Sequence, residues 1–282
     1  MIKIRREGEA AISAADGILA EMTIQEESYL LAREVFKEQG KADEFARRLI
    51  DVCHRARGKE FLIVHNPGGW GHARMHECLE WERGLVTGIT GILQKLGYRF
   101  LVTQYFRTGR GFRNEVGDLK EQLRFFSDKA ETMAAWLRFI VAHVKGIRIV
   151  LIGVSQGAAF GNAVMQCLGV GCPVYSIELG FPFLYRYRRK VTEKTLAIDS
   201  NGLKSDKFVN GTLLQAAVIF LAAPLKWLGY RMQGKKVLLS HCVRAPGHEY
   251  DCGNPVVGEQ ITDFLEANFG RQARHRQESF KR

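Results

Sequence analysis

The sequence predicts an α/β fold: a mostly parallel central sheet with helices on both faces, preceded by an N-terminal helical extension. Three observations carry this reading. Short apolar runs recur along the chain, each bounded by turn residues, as buried strands require. Amphipathic stretches of helical period alternate with them, the pattern of parallel strands joined by crossover helices. The 282 residues are 46% hydrophobic and 25% charged, the proportions of an ordinary globular chain. Such a length allows one large domain or two small ones and buries most of its unfolded surface.

The elements follow in order. Residues 1–57 read as the helical extension. Thr23-Ile24-Gln25-Glu26 is a capping-box pattern, with Tyr29, Leu30, Ala32, Val35 and Phe36 behind it at helical spacing. Gly40 interrupts; Phe45, Leu49, Ile50 and Cys53 then line a second stretch, which Gly58 stops. The α/β domain is expected over 58–270. Phe61-Leu62-Ile63-Val64 reads as a buried strand running into the tight loop His65-Asn66-Pro67-Gly68-Gly69. A helix is expected over about 77–96, a strand over 99–106 and one long helix over 118–144. Further strands are expected at 147–152, 174–179, 195–198 and 237–243, with a closing helix over about 256–269. Residues 271–282 form a basic tail.

Composition narrows the function classes. No run of about 18 apolar residues occurs, so no spanning helix is expected. Glu7, Glu9 and Asp16 break up any signal-peptide core at the start, which points to the cytoplasm. Six cysteines lie scattered with no C-x-x-C pair, as expected of reduced thiols in that compartment. The net charge of +11 gathers partly in Arg186/Arg188/Arg189/Lys190 and in the tail. No nucleic-acid motif accompanies it, so no nucleic-acid partner is expected.

The chemistry concentrates at Gly153-Val154-Ser155-Gln156-Gly157, directly after the apolar run Ile149–Ile152 and before a helix-compatible segment. In G-x-S-x-G the serine sits on a sharp strand-to-helix turn, and the flanking glycines avoid collision there. The turn pushes the hydroxyl out at the carboxyl edge of the sheet. A serine hydroxyl needs a base to take its proton. His248, in Ala245-Pro246-Gly247-His248-Glu249-Tyr250, follows the last expected strand and so reaches the same edge. His54, His143 and His275 fall on helices or the tail, and His241 falls inside a strand.

These pieces resemble the α/β-hydrolase family over residues 58–269. The likeness rests on the strand and His-containing glycine-rich loop at 61–69, the elbow Gly153–Gly157, and Gly247-His248 before the closing helix. The resemblance implies a chain order of nucleophile, acid and histidine, so the acid lies between Ser155 and His248. Asp206, in a loop after the strand 195–198, occupies the family's usual place. Asp199, at that strand's end, and Glu178, ending the preceding strand, are the alternatives. The family implies an oxyanion hole with one amide from the residue after the nucleophile, here Gln156. The second donor falls in register on Pro67, which has no N–H. The loop must therefore turn one residue later and present Gly68 or Gly69, or use the Asn66 side chain.

Other signals point elsewhere. His72-x-x-x-His76-Glu77 has metal-pair spacing but lacks H-E-x-x-H and reads as surface; no metal and no cofactor is expected. Gly109-Arg110-Gly111 reads as a loop, not a nucleotide site. The segment 213–228 is apolar on nearly every face, which suits a core helix, an acyl-pocket lining or contact with a membrane. Any lid must be small or built from 181–189 and 212–230. The expected function is a serine hydrolase acting on an ester, thioester or amide, with a small-molecule or acyl substrate. A non-catalytic binding module of the same fold, or an acyltransferase using the same serine, are the alternatives.

Overall fold

The computed structural model describes residues 22–235, 237, 242, 243 and 245–270. They divide into two compact units. The smaller holds the described residues through Arg57 together with Ala135–Gly146. Its first helix, α1, covers residues 22–35. The second, α2 (Gln39–Ala56), buries Ala42, Phe45, Ala46, Leu49, Val52, Cys53 and Ala56 along one face, as a 3.6-residue period dictates. Gly40, expected as a break, lies in the first turn of α2. Gly58, at φ +70°, follows the helix end and leaves the helical region.

The larger unit is built on five parallel strands, β1 (Phe61–Asn66), β2 (Phe100–Gln104), β3 (Arg148–Val154), β4 (Val174–Leu179) and β5 (Thr195–Ile198). Their order is β2-β1-β3-β4-β5, every pair parallel. Every residue of β1 is buried, the signature of a central strand covered on both faces. Helices α3 (Glu80–Lys95) and α8 (Pro255–Leu265) pack on one face. There Leu85, Ile89 and Leu93, with Val257, Ile261 and Leu265, join Phe61, Ile63, Val150, Ile152, Ile177 and Leu179 in one core. The period-2 alternation sends Leu62, Val64 and Asn66 to the opposite face. Helix α6 (Gln156–Leu168) lies there, with Gly161 against the Asn66 and Ser176 side chains.

The sheet and its covering helices match the fold expected from the sequence. One element differs. The long helix expected over 118–144 is two helices, α4 (Phe112–Leu123) and α5 (Ser127–His143). Between them Phe125 and Phe126 take φ +57° and +59°, a region unfavourable for bulky side chains. Burial offsets that strain: the break turns Phe126 fully inward, edge-on to Phe160 at 5.6 Å. Periodicity does not see this break because both halves keep an apolar face. Helix α7 (Leu213–Met232) begins with a Thr212–Gln215 capping box and contains Pro224. The strand expected over 237–243 lies largely outside the described residues, as does the basic tail 271–282.

Candidate active site

Ser155 sits between β3 and α6 at φ +54°, ψ −119°, a sparsely populated region for a non-glycine residue. The surroundings enforce it. A carbon added at Gly153 would strike the Gly157 carbonyl, and one added at Gly157 would strike the Asn66 carbonyl. Only glycine at both positions lets strand and helix meet so closely. The Ser155 amide donates to the Leu179 carbonyl at 2.9 Å, tying the elbow to the end of β4. The Gln156 amide heads α6, where helix N–H groups lack intrahelical partners and the helix dipole favours negative charge.

His248 and Asp206 come together at that sheet edge, although they lie far apart in sequence. His248 Nδ1 stands 2.6 Å from Asp206 Oδ2. A carboxylate is an acceptor only, so Nδ1 carries the proton and Nε2 is left free as a base. Tyr250 Oη donates to the same Oδ2 at 2.5 Å, and the Phe208 amide donates to Oδ1 at 2.8 Å. Burial opposes the Asp206 charge. The His248 hydrogen bond and charge, then Tyr250 and Phe208, outweigh it and hold the carboxyl below its usual value. Burial and then Asp206 push the Tyr250 hydroxyl far above its usual range, so it stays a donor.

Glycine geometry brings the two loops together. Gly247 is at φ +81°, and an added carbon would stand 2.5 Å from the Lys204 carbonyl oxygen. The buried Asn201 fastens the pair, donating to the Glu249 carbonyl at 3.0 Å and accepting from the Leu203 amide. The imidazole packs edge-on to Phe208 and Trp81. It also lies over Gly180, where an added carbon would stand 2.6 Å from His248 Cε1. Gly180 follows Leu179, the partner of the Ser155 amide, so base and nucleophile share one corner. The alternative acids face elsewhere: Arg189 bonds Glu178 at 2.9 Å and Asp199 at 2.7 Å. Asn162 also donates to Glu178 at 2.7 Å.

The glycine-rich loop shows how a chain with proline at the expected donor position arranges itself. Arg107 is buried and donates Nη1 to the Pro67 carbonyl at 2.8 Å and Nη2 to the Gly69 carbonyl. In a trans peptide the N–H points opposite to the preceding C=O, so the Gly68 amide turns away from Arg107. No protein acceptor takes that amide among the described residues. Gly68 stands beside the elbow: a carbon added there would lie 3.1 Å from the Val154 carbonyl oxygen and 4.0 Å from Ser155 Cβ. A carbon added at Gly69 meets nothing. The Asn66 carboxamide faces Gly161 on α6.

Arg107 is anchored by the buried Asp118, 3.5 Å from its Nε. Asp118 also accepts from Thr108 and Lys129 at 2.6 Å each and from Gln122 at 2.8 Å. Burial opposes the Asp118 charge, but Arg107 and these donors hold the carboxyl below its usual value. Arg107 and Tyr250 were not foreseen from the sequence. A basic residue just past a strand end and a tyrosine two after His248 were the available signals, and both types are too common to stand out.

The metal-pair spacing at His72 and His76 does not lie on a helix. Met75–Glu77 is a single 3-10 turn, His72 lies 3.7 Å from Glu115, and Glu77 pairs with Arg110. Among the described residues, His65, Cys78 and Glu82 do gather as three potential ligands. Their polar atoms are already engaged. His65 Nδ1 lies 3.1 Å from Gln104 Nε2, and its Nε2 lies 2.9 Å from Glu82. The Cys78 thiol donates to the Arg74 carbonyl, and burial pushes its pKa far above the usual range, which suits a structural thiol rather than a thiolate ligand.

No protein-family model and no curated protein sequence matches the chain. Among solved structures, the chain is similar to Trichoderma reesei cutinase in complex with a phosphonate inhibitor. Identity is 15% and the TM-score 0.36, covering 72% of this chain and 90% of that one.

Proposed function

We propose that the protein is a serine hydrolase that cleaves an ester, thioester or amide through an acyl-enzyme on Ser155. One observation carries the reading. A serine held at positive φ on a strand-to-helix elbow shares its sheet edge with an imidazole whose Nδ1 is 2.6 Å from a buried carboxylate. In this reading His248 Nε2 takes the Ser155 proton as the hydroxyl oxygen attacks the substrate carbonyl. Asp206 keeps the imidazole in that tautomer and stabilises the imidazolium. The Gln156 and Gly68 amides receive the developing oxyanion. The imidazolium then protonates the leaving group. Water, deprotonated by the same histidine, releases the acyl group and restores the serine. The Trp81 and Phe208 rings against His248, and the exposed apolar residues of α7, support an acyl or lipid-like substrate.

A fluorophosphonate probe followed by peptide mapping tests the reading. The expected result is labelling of wild type on Ser155 and none of Ser155→Ala. Labelling of both proteins, or of neither, would count against this reading, and labelling of neither would favour a non-catalytic binding module.

A further inference from the structure

Helix α7 carries a feature the hydrolytic reading does not use. Leu214, Val218, Leu221, Leu225, Leu228 and Met232 are between 52% and 82% exposed. Their spacing alternates between four and three residues, which gathers them in a stripe roughly 80° wide on an α-helix. The helix already packs through its other side, where Ala223 is buried and Ile219, Trp227 and Tyr230 are half-buried. It therefore presents a second apolar face outward, and single exposed leucines are ordinary where six in a row are not.

Charge says what covers that face. No acidic residue occurs between Asp206 and Glu249. Lys226, Arg231 and Lys235 are exposed, and none pairs with a carboxylate among the described residues. Arg231 and Lys235 stack instead over Trp227 and Tyr230, at 5.2 and 5.6 Å from the ring centroids. A second copy of the helix would bring only further cations to these flanks. Among the described residues no helix is long and apolar enough to cross a membrane. An apolar stripe flanked by unpaired cations suits a helix lying in the plane of an anionic lipid surface.

The turn at Phe183–Arg188 lies against the segment that leads into α7. Its Leu184 and Tyr187 are exposed beside Arg186 and Arg188. Phe183 N donates to the Phe208 carbonyl at 3.0 Å, and Arg186 to Asn210 at 3.3 Å. Phe208 in turn packs on His248, so this turn and the segment leading into α7 adjoin the candidate site. We propose that α7 docks the protein on an anionic lipid surface through its 214–232 stripe. The docking stands independently of the hydrolytic reading, which supplies only its purpose: acyl chains delivered beside Ser155.

The test is flotation of the full chain with phosphatidylcholine vesicles and with vesicles that also contain phosphatidylglycerol. Wild type and Ser155→Ala are expected to bind the mixed vesicles equally, and phosphatidylcholine alone far less. Leu221→Asn with Leu225→Asn keeps every charge and alters only exposed positions; it should weaken binding roughly tenfold or more. Lys226→Gln with Arg231→Gln should weaken it roughly thirtyfold. Circular dichroism establishes that each variant is folded. Undiminished binding by the leucine pair would overturn the proposal, because net charge alone would then explain adhesion. So would a wild type that ignores both vesicles yet sediments as a dimer that the leucine pair dissociates; the stripe would then be a self-interface. Vesicle binding without fluorophosphonate labelling would leave the docking intact and remove the hydrolytic reading.

Discussion

Asp206 accepts three hydrogen bonds while fully buried, and two of them reach the same oxygen. That crowding makes the carboxylate a rigid acceptor for His248. Asp206→Asn should lower turnover roughly 10³–10⁴-fold, because the amide favours the wrong imidazole tautomer. Asp199→Asn should change it far less, since Asp199 faces Arg189 and the Phe181 amide. Steady-state kinetics on the two variants decides the ranking, and the reverse order would move the acid to Asp199. Tyr250→Phe removes a hydrogen bond to a charged acceptor, so turnover should fall roughly ten- to a hundredfold. The sign of its pH effect follows from the lost donor. Without Tyr250 the Asp206 carboxyl rises towards its ordinary value, so acid unfolding sets in at higher pH than in wild type. A tyrosine that only filled space would leave the pH dependence of unfolding in place.

At the scale of elements, the site is the meeting of an elbow, a glycine loop and two loops at one sheet edge. Gly157→Ala drives a methyl into the Asn66 carbonyl. Overpacking of this kind costs about 1–3 kcal/mol, expected as a lowered denaturation midpoint together with loss of probe labelling. Arg107 holds the glycine loop from behind through two carbonyls. Arg107→Met leaves both carbonyls without their donor and frees the Gly68 peptide to rotate. The expected outcome is a fall in kcat on the order of a hundredfold with little change in KM, the pattern of a lost transition-state donor. Arg107→Lys, which reaches one carbonyl instead of two, should fall between. An unchanged kcat in both variants would show that the Gly68 amide contributes nothing to catalysis.

For the whole molecule, buried carboxylates with depressed pKa link stability to acidity. Asp118 and Asp206 are both held below the ordinary value, near 3.9 for a free aspartate. Their contribution is therefore fully present above that value and is lost as pH falls through their lower, folded-state values. Thermal melts from about pH 4 down to about pH 2 should show wild type losing stability steadily. Asp118→Asn should start from a lower Tm at neutral pH, because Arg107 and Lys129 lose their counter-charge. Its Tm should then fall less steeply with acid, and parallel curves for the two proteins would refute the linkage. No disulfide joins the six cysteines among the described residues, and burial pushes Cys53 up to about 12. Reducing agents should therefore leave the melting temperature unchanged.

What the sequence determined by itself was local. The run of β3 into Gly153-Val154-Ser155-Gln156-Gly157 specifies an elbow, because glycines two residues either side of a serine act through sterics within one turn of chain. The parallel sheet was legible for the same reason: buried strands and helix faces repeat with periods of two and 3.6 residues. The break at Phe125 and Phe126 was not, since it follows from where two rings find burial. Nor did the sequence choose among Asp206, Asp199 and Glu178. In the structure Arg189 occupies two of these three carboxylates, while Tyr250 and His248 converge on the third. Nor could the sequence show what holds the proline loop, whose Pro67 carbonyl accepts from Arg107, 40 positions further along the chain. Backbone sterics act between neighbours in sequence, whereas the partner of a buried charge is whatever group folding brings within hydrogen-bond reach.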